Sequence, residues 1–244
     1  MLLKTNENGH EIPRFKDFPE ISNSKNNTFL FSLDEIPCFL VWDDPGPLES
    51  TFQFIEISFF RKTRQQEVAW VCITGLHLFN WYTQNKFCGK CGARTQQKPD
   101  ERALLCPQCN TTAYPKISPA VIVAIISSDK ILLARNANFP GSWYSLLAGY
   151  ADVGESLEET VIREVKEEAG LDVHNIRYYK SQPWPLSGSL MIGFVAEADE
   201  KQPIVIDANE ITEAAWFQRG ELPSHPHNIS IAGEMIERFE RGEL

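Results

Sequence analysis

Glu164, Glu167 and Glu168 stand at i, i+3 and i+4 of a segment whose apolar spacing is helical, so a helix would bring their carboxylates to one face, within reach of a common point. Like charges so placed repel, at about a few tenths of a kcal/mol per pair, unless a cation neutralises them. Hard oxygen donors in this number favour Mg²⁺ or Mn²⁺, ions that keep several waters and share coordination with substrate phosphates. Arg163, next to the trio, suits either of two tasks: pairing with a glutamate to hold it in place, or contacting phosphate directly. A solvated acidic helix face is the plainer reading of such a cluster.

A second constellation is Cys88-x2-Cys91 and Cys106-x2-Cys109, two pairs fourteen residues apart. Four thiolates at this spacing make a closed tetrahedral shell for structural Zn²⁺, with no open position for water, which predicts a role in folding and none in catalysis. A redox pair is the rival for either C-x-x-C. Cys38 and Cys72 lie in apolar segments that read as strands and are taken as buried small hydrophobes. His225 and His227 flank a proline in a loop and read as exposed histidines, with a substrate contact as the alternative. No Ser-His-Asp, P-loop or GxGxxG pattern is present.

The acidic trio needs a helix to carry it, and residues 155–169 supply one. Leu157, Val161 and Val165 form its buried stripe, and Gly170 suits the left-handed position that ends it. Upstream, AVIVAII (Ala120–Ile126), a turn at Ser127–Asp129 and ILLA read as a β-hairpin, followed by a strand at Trp143–Ala148 and a glycine-bounded loop, Gly149–Gly154. Downstream come strands at Ile176–Lys180, Leu190–Ala196 and Ala214–Phe217, then a closing helix at Ile229–Arg241. Towards the amino terminus, TFLFSL, PCFLVW, TFQFIEISFF and AWVCITG read as strands, and Gly75–Phe87 as a helix. The expected organisation is a β-rich domain over 1–86, serving packing or dimerisation, a zinc ribbon over 87–112, and a mixed α/β (α+β) domain over 113–244.

Composition sets the outer limits. With 244 residues, 43% hydrophobic and 23% charged, the chain can bury a sizeable core without crosslinks, which argues against wholesale disorder and a disulfide-stapled scaffold. Its longest apolar run has seven residues against the roughly 20 of a membrane span, and the amino terminus lacks an apolar signal region, so a cytoplasmic protein is expected. The net charge of −10 disfavours nonspecific binding to nucleic-acid backbones.

Gly149, five residues, Glu155, seven residues, then Arg163-Glu164-Val165-x-Glu167-Glu168-x-Gly170-Leu171 resembles the Nudix box at every defined position. The resemblance implies an α/β/α sandwich in which the box forms a loop–helix–loop, with Glu164, Glu167 and Glu168 as divalent-metal ligands and Glu155 and Arg163 in support. A four-cysteine module before the domain, together with SQPWPLSGSLM at Ser181–Met191, further resembles the NADH pyrophosphatase branch. That branch hydrolyses NAD(H) to nicotinamide mononucleotide and AMP, is associated with removal of NAD caps from RNA 5′ ends, and is usually homodimeric. The resemblance carries an additional metal-linked glutamate to Glu210, in IVIDANE, and substrate contacts to Tyr150, Gln182, Trp184, Ser189, Tyr114 and Ala232. Taken by its residue type alone, Trp184 would be a buried aromatic on a loop. The chain departs from the family's SQPWPFPxS at Leu186 and Ser187, and carries Tyr150 where phenylalanine is frequent.

Two classes of function follow. One is a metal-dependent hydrolase of NAD-type pyrophosphates, with ADP-ribose, dinucleoside polyphosphates and NAD-capped RNA as alternative substrates. The other is a binding module, in which the ribbon, with Lys86, Lys90, Arg94 and Lys98 nearby, contacts RNA while the Nudix-like domain senses a nucleotide.

Overall fold

The computed structural model describes the chain apart from residues 8, 23, 25, 57, 58, 60–62, 64, 138–142 and 227–229. His227 and Ile229 therefore lie outside the described residues. Two compact units are present, Met1–Lys116 and Ile117–Leu244.

In the first unit, β1 (Leu2–Asn6) pairs with β2 (Gly9–Glu11), and a short helical turn α1 (Pro19–Ser22) follows. A hairpin of β3 (Asn27–Leu33) and β4 (Ile36–Val41) comes next, and β5 (Phe52–Phe54) returns to β1. Helix α2 runs from Gln66 to Gln84. It absorbs AWVCITG, expected as a strand, and begins well before the expected start at Gly75. Ala69, Cys72 and Ile73, and Leu78, Trp81 and Tyr82, recur at three- and four-residue intervals and are all buried, so the long amphipathic pattern overrides the β-branched composition of its first half. Cys72 is accordingly a buried helical residue, and burial pushes its thiol up to about 11.

The ribbon contributes three short strands, β6 (Gln96–Gln97), β7 (Leu104–Leu105) and β8 (Thr112–Ala113), in one antiparallel sheet. Leu104 packs with Leu30, Leu78, Trp81 and Tyr82, so ribbon, hairpin and helix share one core.

The second unit is built around β9 (Ser118–Ser127). Together with β10 (Lys130–Asn136), β11 (Leu147–Tyr150), β12 (His174–Trp184), β13 (Ser189–Glu197) and β14 (Ile211–Gln218) it forms a six-stranded sheet ordered β12-β13-β9-β10-β14, with β11 also paired to β9. The β9–β13 pair is parallel and the others antiparallel. Helices α3 (Leu157–Ala169) and α4 (Ile231–Glu240) cover opposite faces. Val121, Val123 and Ile125 pack with Val161, Val165 and Ala169 of α3, while Ile122 and Ala124 pack with Ile231, Met235, Ile236 and Phe239 of α4. Strand β9 is thus buried on both faces, which is why it reads as a continuous apolar run without polar alternation.

Phe239 is fully buried beneath α4, and the Arg219 guanidinium lies over its ring. Replacing Phe239 by alanine is expected to cost about 3–5 kcal/mol, seen as a lower urea midpoint with little change in slope.

Candidate active site and zinc centre

The acidic site is built on α3. Ser156 caps the helix: its hydroxyl accepts from the Glu159 amide at 3.2 Å and the Glu159 carboxylate accepts from the Ser156 amide at 2.8 Å, a reciprocal capping box. Glu155 therefore lies just outside the helix, rather than opening it as the sequence suggests, and its side chain is free to turn towards Arg163. Gly170, at φ +72°, ends the helix in the left-handed conformation expected of it.

Arg163 is the centre of the charge network. Its Nε donates to Glu155 Oε1 at 2.5 Å and its terminal nitrogens donate to Glu155 Oε2 at 3.0 Å, Glu164 Oε1 at 2.8 Å, Glu167 Oε2 at 2.9 Å and the Tyr150 carbonyl at 2.9 Å. The arginine thus pairs with three glutamates and ties the helix to the end of β11. The guanidinium beside Glu155, helped by the backbone at Asp152, holds that carboxyl at about 2. Glu155 pairing in turn raises the pKa of Arg163, keeping it charged.

Gly149 of β11 lies directly under Glu164. A Cβ at Gly149 would fall 1.9 Å from the Glu164 carboxyl carbon, so the glycine of the box is required by the passage of a carboxylate over bare backbone. Burial raises the Glu164 pKa, although Arg163 opposes the shift.

Glu168 is the innermost acid, 5% exposed. Burial pushes it up to about 8, with the Glu164 and Glu210 carboxylates adding to the shift and the Ala148 backbone opposing it. Its Oε2 is buried and has no hydrogen-bond partner among the described residues. Glu210 reaches this centre from the turn before β14, where its amide donates to the Asp207 carbonyl. The fold therefore gathers Glu164, Glu168 and Glu210, and leaves Glu167, with its side chain 60% exposed, at the rim against Arg163. A buried carboxylate with an orphaned oxygen, close enough to two further carboxylates for their charges to raise its pKa, offers hard oxygen donors of the kind that suit a divalent cation.

Residues from the SQPWP segment gather at the same end of the sheet. Trp184 closes β12 opposite Ser189 and is half-buried at a strand end instead of on a loop. Strand β12 is an edge of the sheet, which is how it accommodates Pro183. Gln182 accepts from the Ile231 amide at 2.6 Å through Oε1 and so helps to cap α4. Ala232 is buried in the core under α4. The half-exposed Tyr150 ring has its hydroxyl 3.1 Å from Ser189 Oγ. Tyr114 belongs to the first unit, where its hydroxyl donates to Glu101. His225 is partly buried, 2.8 Å from the Pro223 carbonyl through Nδ1. The sequence reading offered no counterpart of the Ser156 cap, although S-x-x-E at 156–159 carries its signal.

In the ribbon, the sulfurs of Cys88, Cys91, Cys106 and Cys109 all lie within 4.8 Å of one another. The closest approaches are 3.4 Å between Cys91 and Cys106 and 3.6 Å between Cys88 and Cys109. Four sulfurs on a tetrahedral zinc, each about 2.3 Å from the ion, are separated by roughly this much. Two matching turns present them: Gly92 N donates to the Cys88 carbonyl at 2.8 Å and Asn110 N to the Cys106 carbonyl at 2.9 Å.

Sequence comparison agrees with this architecture. The model of the NUDIX domain matches residues 116–239, half of the chain, and the chain belongs to the Nudix hydrolase family. Within it the chain falls in the NADH pyrophosphatase branch, since the NADH pyrophosphatase zinc ribbon domain matches residues 84–114 and the NADH pyrophosphatase-like rudimentary NUDIX domain matches residues 1–81. The last match gives a family origin to a segment in which the sequence offered no motif. The chain is 45% identical over 159 residues to the NAD-capped RNA hydrolase NudC of Pseudomonas aeruginosa, covering 65% of this chain and 57% of that protein. It is 45% identical over 163 residues to the protein of the same name from Salmonella typhi, covering 67% and 63%. The matched region thus spans less than two thirds of the length of these relatives. A crystal structure of a NUDIX hydrolase from Nitrosomonas europaea shares the fold, with TM-score 0.55 and 23% identity over 64% of this chain and 90% of that one.

The zinc ribbon makes the first unit sensitive to metal removal. A zinc-selective chelator is expected to release one Zn²⁺ per chain, measured with a colorimetric zinc indicator, and to expose the amides of 88–113 to hydrogen exchange while those of β9 and β13 stay protected.

Proposed function

We propose that the protein hydrolyses the pyrophosphate bond of NAD(H), giving nicotinamide mononucleotide and AMP, and acts also on NAD caps at RNA 5′ ends. The observation that carries this reading is the buried, unpartnered Glu168 Oε2 at the end of a Nudix box, in a carboxyl group that feels the charges of Glu164 and Glu210. The similarity to relatives named NAD-capped RNA hydrolase NudC supports the substrate class.

In this reading Glu164, Glu168 and Glu210, with Glu167 at the rim, hold Mg²⁺ or Mn²⁺. The ion supplies charge neutralisation at the pyrophosphate and acidifies a bound water. Arg163 and Glu155 keep the ligands spaced, because Arg163 offsets part of the repulsion between carboxylates that would otherwise fold the site apart. Tyr150 and Trp184 offer flat faces to a base or nicotinamide, with Gln182 and Ala232 as the remaining substrate positions of this unit. The four-cysteine Zn²⁺ remains structural. The family resemblance implies a homodimer, and the short apolar runs and polar amino terminus of the sequence lead us to place it in the cytoplasm; among the described residues no helix is long and apolar enough to cross a membrane.

Two substitutions test the site. Glu168→Gln should lower turnover of NADH with Mg²⁺ by at least about 100-fold, followed by chromatography of the products, with circular dichroism and zinc content unchanged. Full activity in that variant would reject the metal assignment. In Gly149→Ala, the new methyl group strikes the Glu164 carboxylate, the far end of its side chain, which must swing off Gly149 and loosen its pairing with Arg163. The fold should survive while Mn²⁺ affinity, measured by electron paramagnetic resonance, falls by about 10-fold or more.

A further inference from the structure

Ser189 is 4% exposed, and its hydroxyl meets two others: Tyr150 OH at 3.1 Å and Ser187 Oγ at 2.9 Å. A buried serine hydroxyl has one proton to give and two lone pairs to offer, and these two neighbours account for most of that capacity. Ser189 is therefore poorly placed to contact a substrate itself. Tyr150, in contrast, is 52% exposed and is held at both ends: its carbonyl accepts from Arg163, and its hydroxyl is tied to Ser189.

The turn that brings Ser187 into position depends on the residue type at 187. The Ser187 amide donates to the Trp184 carbonyl at 3.2 Å, closing a four-residue turn, while its hydroxyl reaches back to Ser189. Proline, expected at 187 from the Nudix-branch signature, has neither an amide proton nor a hydroxyl and could make neither bond. Phenylalanine, frequent at 150, has no hydroxyl to anchor. Two of this chain's three departures from the expected pattern, Ser187 and Tyr150, thus meet at one buried oxygen, that of Ser189.

We propose that Ser187, Ser189 and Tyr150 form a hydroxyl chain that fixes the ring of Tyr150, the residue whose carbonyl Arg163 holds, so that the exposed face of that ring receives the flat ring of the substrate distal to the cleaved bond. Ser187 and Ser189 are positioning residues that act through Tyr150. This rests on the pyrophosphatase reading above and deepens it by assigning the selection of substrates with a second aromatic ring, NADH over ADP-ribose, to this chain. Without the tie the ring samples other rotamers and each productive encounter must immobilise it again, a cost felt in binding more than in the chemical step.

The test is a mutant cycle with Tyr150→Phe, Ser187→Ala, both together, and Ser187→Thr, each assayed with NADH and with ADP-ribose. Losing one hydrogen bond of this kind corresponds to roughly 2- to 10-fold. The expected result is that Tyr150→Phe and Ser187→Ala each raise KM for NADH by about that factor with kcat kept within about twofold, and leave KM for ADP-ribose unmoved. The double variant should be no worse than either single one, and Ser187→Thr, which keeps a hydroxyl, should hold the native KM. Independent, additive effects, equal effects on both substrates, or no effect of Ser187→Ala would overturn the proposal. If the unaltered protein turns over neither substrate, the pyrophosphatase reading fails instead, and the two failures are distinct.

Discussion

One guanidinium sets the geometry of the acidic end of the second unit. Acidic side chains crowd α3, and a helix so loaded is destabilised on its own. Arg163 satisfies Glu155, Glu164 and Glu167 at once and fastens the Tyr150 carbonyl, so it converts a repulsive cluster into a spaced array and joins helix to strand. A lysine could not do this. Its ammonium is a point charge without the planar fork that addresses several acceptors in different directions. What the arginine leaves unsatisfied is equally informative: Glu168 is too deep to be reached by it and keeps a bare, buried oxygen.

The sheet makes this arrangement possible. Helices α3 and α4 clamp β9 from opposite faces, and both β11 and β13 pair with β9, one on each side. Gly149 and Tyr150 on one neighbour, and Ser189 on the other, are thereby held in register against residues 118–121 of the same strand. The loop–helix–loop then needs only a short reach to set Glu164 on Gly149.

Much of the site was legible because its spacing is rigid: i, i+3, i+4 acids and paired cysteines have few alternative geometries. The depth ranking of the acids was not legible, because it depends on how α3 rolls against the sheet, and only the fold separates exposed Glu167 from buried Glu168. Residues 69–75 read as a strand in isolation, since seven residues carrying one each of tryptophan, valine, isoleucine and threonine do not disclose their period; the buried positions from Ala69 to Tyr82 do so only when the whole helix is taken together. Trp184 was read as a loop residue because prolines flank it, yet an edge strand can carry a proline wherever no ladder bond is demanded of it. The Ser189–Tyr150 contact joins residues 39 apart in the chain and has no local signature at all.

The parallel pairing of β9 with β13 has a consequence for how the molecule comes into being. Strands running the same way cannot be closed by a tight turn, so the chain between them, with α3 in its middle, must be drawn in before the pair can zip. Tyr150 and Ser189 meet only across that late-formed seam. A nascent chain ending after the acidic helix would thus hold Tyr150, Glu164 and Glu168 but neither Ser189 nor Glu210, so the strand pair that fastens the tyrosine and the last acid both arrive with the final third of the polypeptide.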